Sequence, residues 1–183
     1  MTDKLFIDAN HFLIDSFTLA KQVLVSDFKP NFIVAIWRGG TPVGIAVQEF
    51  LAHHGIESDH IAIRTSAYEG IDKQKKEVNV HGLSYITTRV CAQDRLLLVD
   101  DVFDTGLSIK AVIDQLRKRT KANMPHIKSA VVYYKPTRTK VDFAPDFFVR
   151  KTDKWLIFPH ELIGLTEAEL EQKHADVAKL LKG

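Results

Sequence analysis

Cysteine is almost absent: Cys91 stands alone in 183 residues. No disulfide can close within the chain, and no Cys/His pairs stand at zinc spacing, so a disulfide scaffold and a zinc module are both excluded. A reducing compartment is expected, with Cys91 packing rather than reacting. Long apolar runs are also missing, and Met1-Thr2-Asp3-Lys4 lacks the charged-then-apolar order of a signal peptide; no membrane partner and a cytoplasmic location are expected. An excess of charge of one sign is lacking too. Lys and Arg number 25 against 23 Asp and Glu, a formal charge of +2, too little for the broad basic face that nucleic acid requires. Any basic site should be small and local. No internal repeat or low-complexity stretch occurs.

What is present is ordinary globular composition, 45% hydrophobic and 26% charged, in a length that one domain accommodates without splitting. Asp15-Ser16 before Phe17, Ala20, Val23 and Leu24 predicts a helix start. Phe32-Ile33-Val34-Ala35-Ile36-Trp37 is an unbroken, β-branched-rich run, the pattern of a strand covered on both faces. It stops at Arg38-Gly39-Gly40, and Thr41-Pro42 opens a second helix towards Gly55. Further strands are expected at His60 to Arg64, Leu96 to Val99 and Ala130 to Tyr134, with a helix from about Leu107 to Arg119. Strands alternating with helices imply right-handed crossovers, hence an α/β fold with a mainly parallel sheet flanked by helices. Two stretches fall outside the alternation. Residues 66–88 hold the polar run Tyr68 to Glu77, of the type that works as a lid. Residues 136–165 include Phe147-Phe148-Val149 and Trp155-Leu156-Ile157-Phe158, read as short strands of a small C-terminal hood. A capping box at Thr166-Glu167-Ala168-Glu169 starts a last helix over about 167–181.

The chemistry is concentrated in Leu96-Leu97-Leu98-Val99-Asp100-Asp101-Val102-Phe103-Asp104-Thr105-Gly106-Leu107-Ser108. A buried strand delivers two adjacent carboxylates to its C-terminal end, the edge of an open α/β sheet where ligands bind. The turn into the next helix then gathers backbone N–H groups, the helix dipole and two hydroxyls at one point, a phosphate cradle. Two acids beside a phosphate would repel it unless they bind sugar hydroxyls and a hard cation. Ribose 5-phosphate with Mg2+ satisfies every part. An isolated Asp-Asp is as readily a solvated strand end, and Asp104 a helix cap; the whole pattern matches a different portion of one ligand at each step.

This pattern resembles the signature of the type I phosphoribosyltransferases, which use phosphoribosyl pyrophosphate (PRPP). The resemblance implies that Asp100 and Asp101 hold the ribose hydroxyls and metal, that Thr105, Gly106, Leu107 and Ser108 hold the 5′-phosphate, and that Asp104 is the catalytic acid facing N7 of the base. Arg38 and Gly39 become the pyrophosphate loop, where the family can carry a non-proline cis peptide. Lys135-Pro136 and the Trp155-x-x-x-Pro159 segment resemble elements of bacterial xanthine-guanine and hypoxanthine phosphoribosyltransferases. There the lysine contacts O6, the tryptophan stacks on the purine, and backbone groups beside it, here at Leu156, touch the 2-position. Glu161 falls where related enzymes place an acid near a second metal.

The implied reaction joins PRPP to N9 of hypoxanthine, guanine or xanthine, with Mg2+ on Asp101 and with Arg38 and Lys75 or Lys76 of the lid neutralising pyrophosphate. Closing the lid would exclude water. A homo-oligomer, dimer or tetramer, is expected. Two alternatives remain: a phosphoribosyltransferase for another base, against which Lys135 and Trp155 argue, and a non-enzymatic PRPP sensor, against which Asp104 and the lack of a broad basic face argue.

Overall fold

The computed structural model describes residues 4–69 and 76–181, without the side chains of 67–69 and 76–77. In chain order the elements are β1 (Lys4–Phe6), α1 (Ala9–Val25), β2 (Phe32–Trp37), α2 (Gly40–His53), β3 (Asp59–Glu69), β4 (Lys76–His81) and α3 (Ser84–Thr87). They continue as β5 (Arg95–Phe103), α4 (Leu107–Thr120), β6 (His126–Tyr134), β7 (Phe147–Lys151), β8 (Trp155–Ile157), α5 (Glu167–Lys173) and α6 (Ala175–Leu180). Short 3-10 turns cover Lys121–Asn123 and Pro136–Arg138. The chain divides into two compact units, Leu13–Asp153 and a smaller one that joins the N-terminal stretch up to Phe12 with the chain from Lys154.

The larger unit is built on a six-stranded sheet of order β4-β3-β2-β5-β6-β7. All neighbours pair in parallel except β4, which runs antiparallel on the edge. Apolar side chains on both faces explain the unbroken hydrophobic runs of β2 and β5. Phe32, Val34, Ile36, Leu96 and Leu98 join Ile86, Val90, Ile109, Val112 and Leu116 in one buried cluster, and α2 packs on β2 and β5. Leu96, Leu97 and Leu98 are fully buried, each contributing about 1.5–3 kcal/mol of burial. That anchorage fixes the strand end that follows them.

Several expectations change. The first helix begins at Ala9, not after Asp15-Ser16: Asp8 Oδ1 accepts from the N–H groups of Asn10 and His11, both at 3.0 Å. Those bonds, the one from His11 foremost, together with the charge of the His11 ring, hold the Asp8 carboxyl below its ordinary value. Asp15 lies within α1, buried, and its Oδ2 and Oδ1 accept from Arg150 Nε at 2.5 Å and Nη2 at 2.9 Å. Phe147 to Val149 belong to β7 of the main sheet, paired Ala130↔Phe147 and Val131↔Phe148, and not to an added layer.

The stretch read as a lid is, where described, an antiparallel hairpin. β3 extends past Arg64 to Glu69 because β4 folds back on it, from Arg64↔His81 to Glu69↔Lys76. Residues 70–75, Lys75 among them, lie outside the described residues.

In the smaller unit β1 pairs in parallel with β8, Lys4↔Trp155 through Phe6↔Ile157, a strand whose three residues carry no legible period. Lys4 Nζ donates to Glu169 Oε1 at 2.5 Å. The capping box forms, Thr166 Oγ1 accepting from Glu169 N and Glu169 Oε2 accepting from Thr166 N. The last helix is two, because His174 at φ −153° interrupts it between α5 and α6.

Candidate active site at the carboxyl edge of the sheet

Asp100 and Asp101 stand in the C-terminal half of β5, directly after the buried run Leu96 to Val99. Asp100 Oδ1 accepts from Asp101 N at 3.0 Å, and Asp101 Oδ1 from Val102 N at 2.8 Å. Desolvation, followed by the negative charge of Asp101, pushes the Asp100 carboxyl well above the ordinary carboxylate range. Two acids forced together in this way form a site that a cation or a set of hydroxyl donors would relieve. Among the described residues no group of three His, Cys, Asp or Glu gathers to hold a metal. The pair fits Mg2+ in the manner that ion favours, one or two carboxylates with the remaining positions left to substrate oxygens and water.

The turn after β2 packs against these acids. The Trp37-Arg38 peptide is cis, and α2 starts at Gly40. A Cβ on Gly39 would collide with Asp101 Oδ2, and one on Gly40 would stand 2.6 Å from Val99 O. Only residues without side chains let this loop close on the strand end. The structure thus brings Arg38 and Gly39 beside Asp100 and Asp101, residues more than sixty positions apart in sequence, because β2 and β5 are sheet neighbours.

The turn after β5 forms a cleft of ≈ 200 Å3 lined by Asp100, Asp101, Asp104, Thr105, Gly106 and Ser108 among others. Gly106 is the N-cap of α4 at φ 78°, and a Cβ there would meet the Phe103 ring at 2.5 Å. Glycine therefore serves both the left-handed backbone and the close approach. No side chain caps α4, so Asp104 does not act as the helix cap. Its Oδ1 lies 2.6 Å from Arg138 Nε. Arg138 carried no expectation in the sequence; the signal that could have found it is a cation three residues beyond Lys135, in the turn that ends β6.

Lys135 follows β6, only 5% exposed, and its N–H donates to Phe103 O at 2.9 Å. It therefore shares the sheet edge of Asp100 to Asp104. Trp155, Leu156 and Glu161 belong to the smaller unit. Trp155 is half exposed and Leu156 buried. Glu161 Oε2 accepts from Phe158 N at 3.0 Å, while Lys173 Nζ donates to the carbonyls of Phe158 and Glu161, both at 2.5 Å. Glu161 thus closes its own turn, and desolvation holds the Lys173 ammonium below its ordinary value. Lys76 lies in β4 opposite Glu69, and its side chain is outside the described residues.

Residues 7–163 match the family model described as phosphoribosyl transferase domain. The chain is 27% identical to the hypoxanthine-guanine phosphoribosyltransferase of Saccharomyces cerevisiae, over 93% of this chain and 92% of that protein. Among solved structures it resembles a purine phosphoribosyltransferase from Pyrococcus horikoshii Ot3, with TM-score 0.69 and 28% identity over 90% of this chain and 98% of the other. It shares the fold of the Helicobacter pylori xanthine-guanine-hypoxanthine phosphoribosyltransferase, with TM-score 0.66 and 21% identity over the whole of both chains. Acid pair, glycine loop and the turn into α4 converge at one sheet edge, the family model covers most of the chain, and the protein belongs to the phosphoribosyltransferase family.

Proposed function

We propose that this phosphoribosyltransferase moves the 5-phosphoribosyl group of PRPP to N9 of a 6-oxopurine, releasing pyrophosphate. The observation that carries the reading is the position of Lys135, a buried ammonium at the same sheet edge as the acid pair and the phosphate turn. A lysine at this edge can donate to O6 of hypoxanthine, guanine or xanthine, where the adenine amine would set one donor against another. The names of the yeast, Pyrococcus and Helicobacter relatives agree with a purine substrate.

In this reading the first N–H groups of α4, with Thr105 and Ser108, bind the 5′-phosphate. Asp100 and Asp101 take the ribose hydroxyls, and Asp101 with PRPP oxygens would hold Mg2+, whose positive charge supports pyrophosphate departure. Arg38 and the Gly39 backbone orient the leaving pyrophosphate, a role that Lys76 would share. Asp104 holds the N7 proton of the incoming base and keeps N9 directed at the anomeric carbon. By resemblance to the family, Trp155 would stack on the purine and backbone at Leu156 would read its 2-position.

The test is kcat/KM with PRPP, Mg2+ and a panel of bases for the wild type and Lys135→Ala. The expected result is transfer to 6-oxopurines, rejection of adenine, and a tenfold to hundredfold loss of that discrimination in the variant, about 1–3 kcal/mol for one unmet charged contact, with PRPP affinity unchanged. Adenine as best substrate, or lost PRPP binding in the variant, would overturn the assignment of Lys135.

A further inference from the structure

Asp104 is placed among other acids, and among the described residues the cation paired with it is Arg138. Its Oδ1 is shut away from solvent and accepts no aligned hydrogen bond, yet the Arg138 Nε stands 2.6 Å from it. The two meet as charges. Arg138 is held there by its own surroundings. Lys135 N donates to Phe103 O at 2.9 Å and Lys140 N to Thr105 O at 2.9 Å, so the segment after β6 is stitched to the strand end and the phosphate turn on both sides of Asp104. Within that bracket Arg138 N donates to Lys135 O at 3.2 Å, and Thr137 Oγ1 donates to Asp153 Oδ1 at 2.5 Å. A half-exposed ion pair adds little to stability, so the pair matters for where it points the carboxylate.

We infer that Arg138 is a positioning residue: it engages Oδ1 of Asp104 and thereby leaves Oδ2 to receive the N7 proton of the base. The inference rests on the transfer reaction proposed above. Lys135 and Arg138 then come from one turn, the first meeting O6 and the second fixing the acid that meets N7, so that one segment registers both adjacent edges of the purine. Without Arg138 the Asp104 side chain is free to swing about its bond to the backbone, and a carboxylate displaced by about 1 Å costs on the order of tenfold to a hundredfold in rate.

The experiment is a double-mutant cycle on the full chain with the best 6-oxopurine, PRPP and Mg2+. Arg138→Ala should lower kcat by about tenfold to a hundredfold with the KM for PRPP unchanged, and Arg138→Lys should recover most of the loss. In an Asp104→Asn background, Arg138→Ala should change kcat by less than about twofold, because the group it positions is gone. Thermal unfolding is read on each variant; should the alanine variant fail to fold, Arg138→Gln, which keeps the bulk without the charge, takes its place in the cycle. A kcat within about twofold of wild type in the single variant, or the full loss repeated in the Asp104→Asn background, would overturn the inference alone. A folded wild type that transfers to no purine at all would instead remove the functional reading beneath it.

Discussion

The turns that follow β2 and β5 sit side by side at one sheet edge and are made by the same device with opposite chemistry. Each ends a buried strand, each opens a helix, and each relies on glycine. At residues 39–40 glycine permits contact, because Asp101 and Val99 O occupy the space a side chain would need. At Gly106 it also permits a left-handed backbone, φ 78°. The first turn brings Arg38 and bare backbone; the second brings three acids, two hydroxyls and the uncapped start of α4. A ligand with a pyrophosphate at one end and a 5′-phosphate at the other, joined through a ribose, would match the alternation of the two.

The largest expected effect breaks the comparison at its acidic side. Asp104→Asn preserves size and removes the base, and since Asp104 caps no helix, folding should survive while kcat falls about 10²–10⁴-fold. Steady-state kinetics beside a thermal melt would check it; near-normal turnover would remove Asp104 from the chemistry.

The two glycines of the first turn sharpen the comparison, because their obstacles differ. Gly39→Ala meets the far end of the Asp101 side chain, which can swing away, whereas Gly40→Ala meets the backbone carbonyl of Val99, which cannot. The Gly39 variant should fold and lose PRPP affinity through a displaced Asp101. The Gly40 variant should lose about 1–3 kcal/mol of stability as well. Denaturant titrations and PRPP binding on both variants separate the cases.

The smallest effect concerns Asp100. Its carboxyl holds a proton to higher pH in the folded state than in the unfolded chain, so in the window from the ordinary carboxylate value up to the raised one the folded state binds more protons. Stability from this group therefore falls as pH rises through that window and is flat above it. Asp100→Asn should abolish that part of the slope, leaving the ligand-free variant with a higher melting temperature than wild type at neutral pH. Thermal melts from pH 4 to 8 would show it, and parallel curves for both proteins would count against it.

The second turn was far more legible than the first. Asp100 through Ser108 are consecutive, so the burial of Leu96 to Val99, the strand end and the helix start could be laid along one stretch of chain. Arg38-Gly39-Gly40 is an ordinary turn sequence until β2 is known to lie against β5. The start of α1 was misread because Asp15 and Ser16 are cap residues by type. Nothing local tells a cap from a carboxylate buried against Arg150, 135 positions away. The strand of Phe147 to Val149 was placed outside the sheet because it follows no helix that would carry it across.

The sequence by itself determined the alternating α/β order, the glycines and the run of acids and hydroxyls, since periodicity, turn chemistry and adjacent charges are local properties. Which strands became neighbours, which cation faced Asp104, that Glu161 closes its own turn, and that the N-terminal strand braces the one bearing Trp155 were decided only in three dimensions. Parallel pairing and ion pairing join segments far apart in sequence, and their partners are selected by the packing of the whole sheet.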